Sequence, residues 1–301
     1  MIESPLSKGR DIVIESKIKV KDIVYLYSST FRINVSEYFG NINELLLCRD
    51  NQTDYRFFYP PVHIDSRFYE KFQDFDWYYM DTKWEFTKAL SVIPSDAEVL
   101  EVGCGKGAFL KILKEKNIKS VGLELNKESV NELNSSGFEV YDETIQNFAC
   151  KNGKKFDVVL SFQVLEHVYD VHSFLESLLS VLKKGGILII SVPNNESFLK
   201  HTHPFVLNIP PHHVGWWNLK SLKSLGSIYG VKFVDSFYEP LQPYHYDWYY
   251  NILKSRIIKR YGKWTKLFFY PFRNKRYRFI LSKLDKYITG HTIMTVYKKS
   301  I

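Results

Sequence analysis

The spacing of apolar residues changes character twice along this chain. Between positions 91 and 240, short apolar runs alternate with stretches in which apolar residues recur every three or four positions. Glu98–Val102, Ser120–Leu125, Phe156–Phe162 and Gly186–Val192 read as strands, and Ala108–Lys116, Lys127–Ser135 and Val171–Leu182 as helices. Such alternation predicts a parallel sheet covered on both faces. Ahead of it, Ile23, Val24, Tyr27 and Phe31 predict a helix, while Leu45–Cys48 and Tyr55–Phe58 predict two strands around a polar turn. Phe68–Leu90 reads as a helix crowded with Tyr, Phe and Trp. Beyond 240 the pattern is helical, basic and aromatic until a strand-like His291–Tyr297. The divisions expected are a cap over 1–80, an α/β core over 81–240, a helical insertion over 241–288 and a last core strand over 289–301.

One turn in the core carries chemistry. Val99-Leu-Glu-Val-Gly-Cys-Gly-Lys-Gly-Ala runs from a strand through Gly103, Gly105 and Gly107 into a helix. Glycines there let the backbone turn sharply and approach a ligand, which then meets the free amides of a helix N-terminus. Gly103, Gly105 and Ala108 satisfy the G-x-G-x-x-G/A spacing of a dinucleotide site. Glu101 with Gly103, Gly105 and Gly107 satisfies the acid-x-G-x-G-x-G spacing of a methyltransferase loop. Glu124, ending the next strand, would hold a ribose in either. Glu101 favours an ammonium-bearing ligand, because a carboxylate there repels pyrophosphate.

Two further stretches stand in order at the distances that complete a pattern: Phe156-Asp-Val-Val-Leu-Ser-Phe-Gln-Val-Leu-Glu-His-Val, and Leu182-Lys-Lys-Gly-Gly-Ile-Leu-Ile-Ile-Ser-Val-Pro-Asn. With the loop, they resemble the class I S-adenosylmethionine (SAM)-dependent methyltransferases over roughly Trp84 to Tyr238. The resemblance implies a Rossmann-like, mostly parallel sheet of seven strands, closed by an antiparallel hairpin near Val231–Phe237 and His291–Lys298. By the same resemblance, Glu101, Gly103, Cys104, Gly105 and Gly107 hold the methionine part of SAM, and Glu124 takes the ribose hydroxyls. Leu125 packs on the adenine, Thr144 and Ile145 flank it, and Phe162 and Gln163 line the methyl-transfer face. His167 is read either as a group that orients its loop or as a catalytic candidate. Pro210-Pro-His-His-Val-Gly-Trp-Trp falls in the loop that borders the substrate side of this fold. Its histidines are bases near neutral pH, so His212 and His213 are candidates to take a hydroxyl proton.

Asp54-Tyr-Arg-Phe-Phe-Tyr-Pro, Phe68-Tyr-Glu-Lys-Phe and Trp77-Tyr-Tyr-Met-Asp-Thr-Lys-Trp resemble, more loosely, the N-terminal part of bacterial methyltransferases encoded among surface-polysaccharide genes. That resemblance implies a sugar hydroxyl as acceptor, in a surface glycan or its nucleotide- or lipid-linked precursor. RNA, a small molecule, or SAM binding without transfer are the alternatives. Relatives carry a cysteine pair before the equivalent of Tyr55–Pro60. Only Cys48 stands here, so no metal is expected. Tyr78, Tyr79, Lys83 and Trp84 are read as aromatic packing or as a lid over SAM, with Lys83 facing its carboxylate.

Composition sharpens the picture in three places. Three scattered cysteines, no basic-then-apolar start and no apolar run longer than Gly185–Pro193 predict a reduced, cytoplasmic protein, at most peripheral at the inner face of a membrane. Aromatics are 16% of the chain, enough to build ligand or interface surfaces as well as cores. The net charge of +8 is concentrated: residues 251–286 hold twelve Lys and Arg against the single acid Asp285, and the remainder is net acidic. Leu253, Ile257, Tyr261, Trp264 and Phe268 fall on one helical face of that segment. It is read as a cap packed on the core, as a surface for an anionic membrane or lipid-linked substrate, or, last, as a nucleic-acid contact.

Overall fold

A computed structural model of the chain describes residues 1–62, 64, 68, 71–72, 80–151, 153–202 and 205–300, with the backbone alone for 272–274. The central sheet has seven strands: β4 (Glu98–Val102), β5 (Lys119–Leu123), β6 (Glu139–Tyr141), β7 (Phe156–Phe162), β8 (Leu182–Pro193), β10 (Val231–Pro240) and β11 (Thr289–Lys299). Their spatial order is β10-β11-β8-β7-β4-β5-β6. Neighbours from β8 to β6 run parallel, and β11 is antiparallel to both β8 and β10. This is the Rossmann-like sheet with a terminal antiparallel hairpin that the motifs imply.

The strands form where the chain is apolar enough to be buried on both faces. Val99, Leu100, Val158, Val159, Leu160, Ile189 and Ile190 are fully buried. Helices α3 (Ala108–Glu115), α4 (Lys127–Ser135), α5 (Ile145–Lys151), α6 (Val171–Val181) and α7 (Leu219–Tyr229) supply the covering layers. Asn126, Asp170 and Asn218 cap α4, α6 and α7 by accepting from Ser129, Ser173 and Ser221 amides. Helix α2 (Trp84–Leu90) adds Phe86 and Ala89 to the layer that holds Phe109 and Phe162. The helix expected over Phe68–Leu90 is not continuous: residues 71–72 form a turn, 80–83 are non-helical with Lys83 extended, and the helix proper begins at Trp84.

The N-terminal region builds a second, antiparallel sheet in the order β1 (Ile12–Lys19), β2 (Glu44–Asp50), β3 (Arg56–Tyr59) and β9 (Gly215–Trp216), with α1 (Val20–Phe31) beside it. The hairpin of β2 and β3 stands where the sequence indicates it. The fourth strand comes from the loop that follows core strand β8, so cap and core share this sheet: Arg56 pairs with Trp216, and Phe57 with Gly215.

Beyond β10 the chain forms α8 (Tyr246–Tyr261), a 3-10 helix (Lys263–Lys275) and α9 (Tyr277–Leu284). Gly262, at φ +93°, breaks what the sequence reads as one continuous helical face. Leu253, Tyr261, Trp264 and Phe268 of that face are exposed rather than packed. The packing side is instead Tyr246 and Leu281, buried with Phe198, Leu199 and Leu241.

Candidate functional site

The glycine loop joins β4 to α3. Gly103 donates its amide to the Leu123 carbonyl at 2.8 Å, which ties the loop to the end of β5. Its φ of +81° is left-handed, and an added Cβ would lie 2.4 Å from Val164 Cγ2. Gly107 caps α3 at φ +72°, and a Cβ there would lie 2.4 Å from Leu133 Cδ2. Only glycine fits either position. Cys104 contributes backbone: its thiol is buried with Leu110, Val130 and Leu133, and its amide donates to Leu123.

Glu101 ends β4, is 3% exposed, and its Oε2 is buried with no hydrogen-bond partner among the described residues. Burial pushes its pKa well above the carboxylate range; the nearby Lys83 charge opposes this and Glu124 adds to it. A buried carboxylate oxygen in want of a donor fits the ammonium end of SAM. Glu124 is held by three amides, with Gly105 donating to Oε2 at 2.8 Å and Leu125 and Asn126 donating to Oε1 at 2.8 and 2.9 Å. Its carboxylate is thereby fixed beside the glycine loop. Leu125, 46% exposed, is an apolar side chain left open beside it. Thr144 caps α5 by accepting from the Asn147 amide, and Ile145 is fully buried against the core. The structure thus keeps Glu101, Gly103, Gly105, Gly107, Glu124 and Leu125 around one loop, with Ile145 packed beneath the surface.

At the end of β7, Phe162 packs edge-on against Phe109 at 5.1 Å and lies 5.4 Å from Phe86. Gln163 turns away from that cluster with a left-handed φ of +55°, a strained conformation for a side chain with a Cβ. Its Nε2 lies 3.4 Å from Glu85 Oε1 and Ser191 Oγ and 3.5 Å from Thr292 Oγ1. Of this polar cluster only Gln163 is nominated by the sequence motifs; Glu85, Ser191 and Thr292 are brought to it by the fold. Glu239 belongs to it, accepting from the His291 and Thr292 amides, and burial raises its pKa to about 7. Lys83 lies close enough to Glu101, Glu166, His167 and His291 for its charge to bear on all four. Trp84 packs in the α2 layer, while Tyr78 and Tyr79 lie outside the described residues.

The histidines nominated from two separate stretches, His167 from one and His212 with His213 from the other, converge. Ring centroids lie 4.7 Å apart for His167 and His212, 4.9 Å for His167 and His213, and 4.6 Å for His212 and His213. Each Nδ1 meets an acceptor: the His212 carbonyl at 2.6 Å for His167, the Leu207 carbonyl at 3.0 Å for His212, and Asn208 Oδ1 at 3.0 Å for His213. Those acceptors fix the Nδ1–H tautomer and leave the lone pair on Nε2. Burial holds the pKa of His167 at about 4, and those of His212 and His213 well below the ordinary value, so all three are neutral at pH 7. One ligand atom from each lies within 4.8 Å of the others, a spacing within which a metal ion could be held. Glu166, which no motif role singles out, adds a carboxyl 3.9 Å from His167 Nε2, its pKa raised by burial to about 8.

An open cleft adjoins this cluster, lined by Arg56, Asn195, Glu196, Lys200, Asn208 and Trp216 among others. Asn208 belongs to both: its Oδ1 accepts from His213, its Nδ2 donates to Asn195 Oδ1 at 2.7 Å, and its carbonyl accepts from Trp216 Nε1 at 2.6 Å.

Residues 77–235, more than half of the chain, match a family described as Methyltransferase domain. The ubiquinone biosynthesis O-methyltransferase of Vibrio vulnificus is 27% identical over 151 residues, covering 44% of this chain and 64% of that protein. The Salmonella newport protein of the same name is 33% identical over 103 residues, 32% of this chain and 43% of that protein. The chain therefore spans about half the length of the curated relatives it matches. Among solved structures, the complex between the Haloferax volcanii Trm112 methyltransferase activator and its methyltransferase gives a TM-score of 0.50 at 17% identity, over 72% of this chain and 90% of that one, a likeness of fold. A loop where only glycine fits, an acid lacking a donor and a seven-stranded sheet ending in a hairpin agree with the family match: this chain belongs to the methyltransferase domain family, has the class I fold, and uses SAM as its cofactor.

Proposed function

We propose that this methyltransferase acts on a sugar hydroxyl, in a surface glycan or its nucleotide- or lipid-linked precursor. The observation that carries the reading is the cleft beside His213. Its lining is mixed: Asn195, Glu196 and Asn208 are able to address hydroxyl groups, while Leu199, Phe205 and Trp216 supply apolar walls on which a sugar ring can rest. Lys200 adds a positive charge suited to a phosphate carried by the acceptor, while Arg56 is paired with Glu15, Asp54 and Glu196 and orients the cleft wall. The curated relatives are O-methyltransferases by name, which supports oxygen as the atom methylated.

Bound SAM supplies an electrophilic methyl group on a sulfonium. The chain's own residues supply position and a proton acceptor. Glu101 and Glu124 anchor the two ends of the cofactor, and the acceptor hydroxyl must approach in line from the side of Gln163 and the histidines. His213 is the candidate base joined to the cleft, through Asn208, which accepts from its Nδ1 and forms part of the cleft wall. With SAM bound, the His213 Nε2 lone pair would take the hydroxyl proton as the acceptor oxygen gains the methyl group and the methyl–sulfur bond breaks to leave a neutral thioether, and the neutral state of the ring at pH 7 keeps it ready to do so.

Methyl-labelled SAM offered with nucleotide-sugars, polyprenyl-linked sugars, catechols and a short RNA tests the reading. Label should move to a sugar, and His213→Ala should lower kcat by about 100-fold or more while leaving SAM affinity unchanged. Label moving only to catechol or RNA would overturn it.

A further inference from the structure

The segment after β10 has two faces. On one, Tyr246 and Leu281 are buried against Phe198, Leu199 and Leu241, and the Tyr250 and Tyr277 rings stack at 3.7 Å. On the other, Trp264, Leu267, Phe268, Phe279 and Tyr287 are each more than 60% exposed, and Ile280 and Leu284 nearly half exposed. Isolated exposed apolar groups are ordinary; this many in one short segment marks a contact surface. Lys263, Lys266, Lys275, Arg276, Lys283 and Lys286 are exposed among them. The acids nearby are committed: Asp247 pairs with Arg278 at 2.8 Å and Lys275 at 3.6 Å, and Asp285 accepts from Tyr246.

We infer that residues 261–287 dock this chain on an anionic lipid bilayer, with the aromatic and aliphatic side chains entering the headgroup boundary and the lysines meeting lipid phosphates. Tryptophan and tyrosine favour that boundary, and each nearby basic residue adds to the attraction of an anionic surface. The aliphatic members of the patch separate this partner from RNA, whose bases stack on aromatic rings and gain little from Leu267, Ile280 or Leu284. None of the described helices is long and apolar enough to cross a membrane, so the contact lies in the plane of the interface.

Co-sedimentation of the full chain with vesicles tests this directly. The chain should pellet with phosphatidylcholine vesicles containing phosphatidylserine, pellet little with phosphatidylcholine alone, and release as salt rises. The combined variant W264S/L267S/F268S should lower partitioning by about tenfold or more. K263E/K266E/K283E should lower it by at least on the order of 100-fold. Both should keep the far-ultraviolet circular dichroism and SAM affinity of the parent, which shows that they fold. Parent protein that ignores phosphatidylserine vesicles, folded variants that pellet as the parent does, or tighter binding to a short RNA than to vesicles would each overturn the inference.

Discussion

Gly103→Ala puts the cofactor loop under a strain whose parts can be measured separately. At φ +81° an alanine costs roughly 1–2 kcal/mol in backbone conformation. Its Cβ would also lie 2.4 Å from Val164 Cγ2, a contact that must be relieved by moving a side chain packed against the core. Crowding of that kind costs about 1–3 kcal/mol. Together the loss is about 2–5 kcal/mol, a large share of the roughly 5–15 kcal/mol that stabilises a typical domain. Urea unfolding of the ligand-free protein reads the total. Combining Gly103→Ala with Val164→Ala removes the methyl in the way, so the crowding part should vanish and the backbone part remain. A double-mutant cycle should then show a favourable coupling of about 1–3 kcal/mol. Titration calorimetry should find SAM binding weakened at least tenfold in Gly103→Ala, because the loop amides move with the strand end they follow. A Gly103→Ala protein as stable as the parent, or one that Val164→Ala does nothing to relieve, would refute this account of the loop.

Glu101→Gln should weaken SAM binding by about 10- to 100-fold, the worth of a charged hydrogen bond, while ligand-free stability holds or rises because a desolvated charge is gone; calorimetry and urea unfolding read the two effects. Ligand-free stability should fall as pH drops from about 6.5 toward 4, because the unfolded chain binds protons that buried His167, His212 and His213 refuse, with His167 alone accounting for about 3 kcal/mol; His167→Asn should flatten the slope of urea midpoint against pH. Glu166 acts with the opposite sign: the folded chain keeps its proton to about pH 8, so its contribution is complete below about pH 4.5 and is lost as pH rises toward 8, and Glu166→Gln should make the protein less sensitive to alkali by the same measurement. Tyr27→Phe removes the hydroxyl that donates to the Ile209 carbonyl at 3.1 Å and accepts from the His212 amide at 3.3 Å, so it should cost about 1–2 kcal/mol in stability and lower kcat with SAM affinity unchanged, as steady-state kinetics and calorimetry will show.

What could be read from the sequence was what local rules determine. Buried parallel strands need apolar runs, and a cofactor loop needs glycines and acids at fixed offsets, so β4 with its loop and Glu124 stand where the motifs put them. The meeting of His167, His212 and His213 follows from topology, and no spacing along the chain encodes it. Strand β1 escaped notice because it is a largely exposed edge strand whose Glu15, Ser16 and Lys17 break any apolar run. The face predicted from Leu253 to Phe268 is interrupted at Gly262, whose left-handed φ ends the helix. Glu166 passed for part of a familiar motif, since its raised pKa comes from burial, which only the fold reveals.

The two-residue strand β9 explains why the N-terminal region bears on the chemistry at all. Methyl transfer needs an acceptor held still relative to SAM, yet the loop that carries His212 and His213 leaves the core after β8 and has little secondary structure of its own. Its anchor is the cap. Phe58 donates to the Val214 carbonyl at 3.1 Å, Arg56 and Phe57 pair with Trp216 and Gly215, and Tyr27 grips the backbone at Ile209 and His212. The core supplies the other hold, with Val214 donating to the Glu166 carbonyl at 2.9 Å. The loop is therefore clamped between the cap sheet and the segment that follows β7, the same segment whose Val164 presses on Gly103. Cofactor loop, histidine cluster and cleft form one mechanical unit, and Arg56 reaches from the cap sheet into the cleft itself. Changes in the cap that loosen β3 should consequently appear as changes in turnover before they appear as loss of SAM binding.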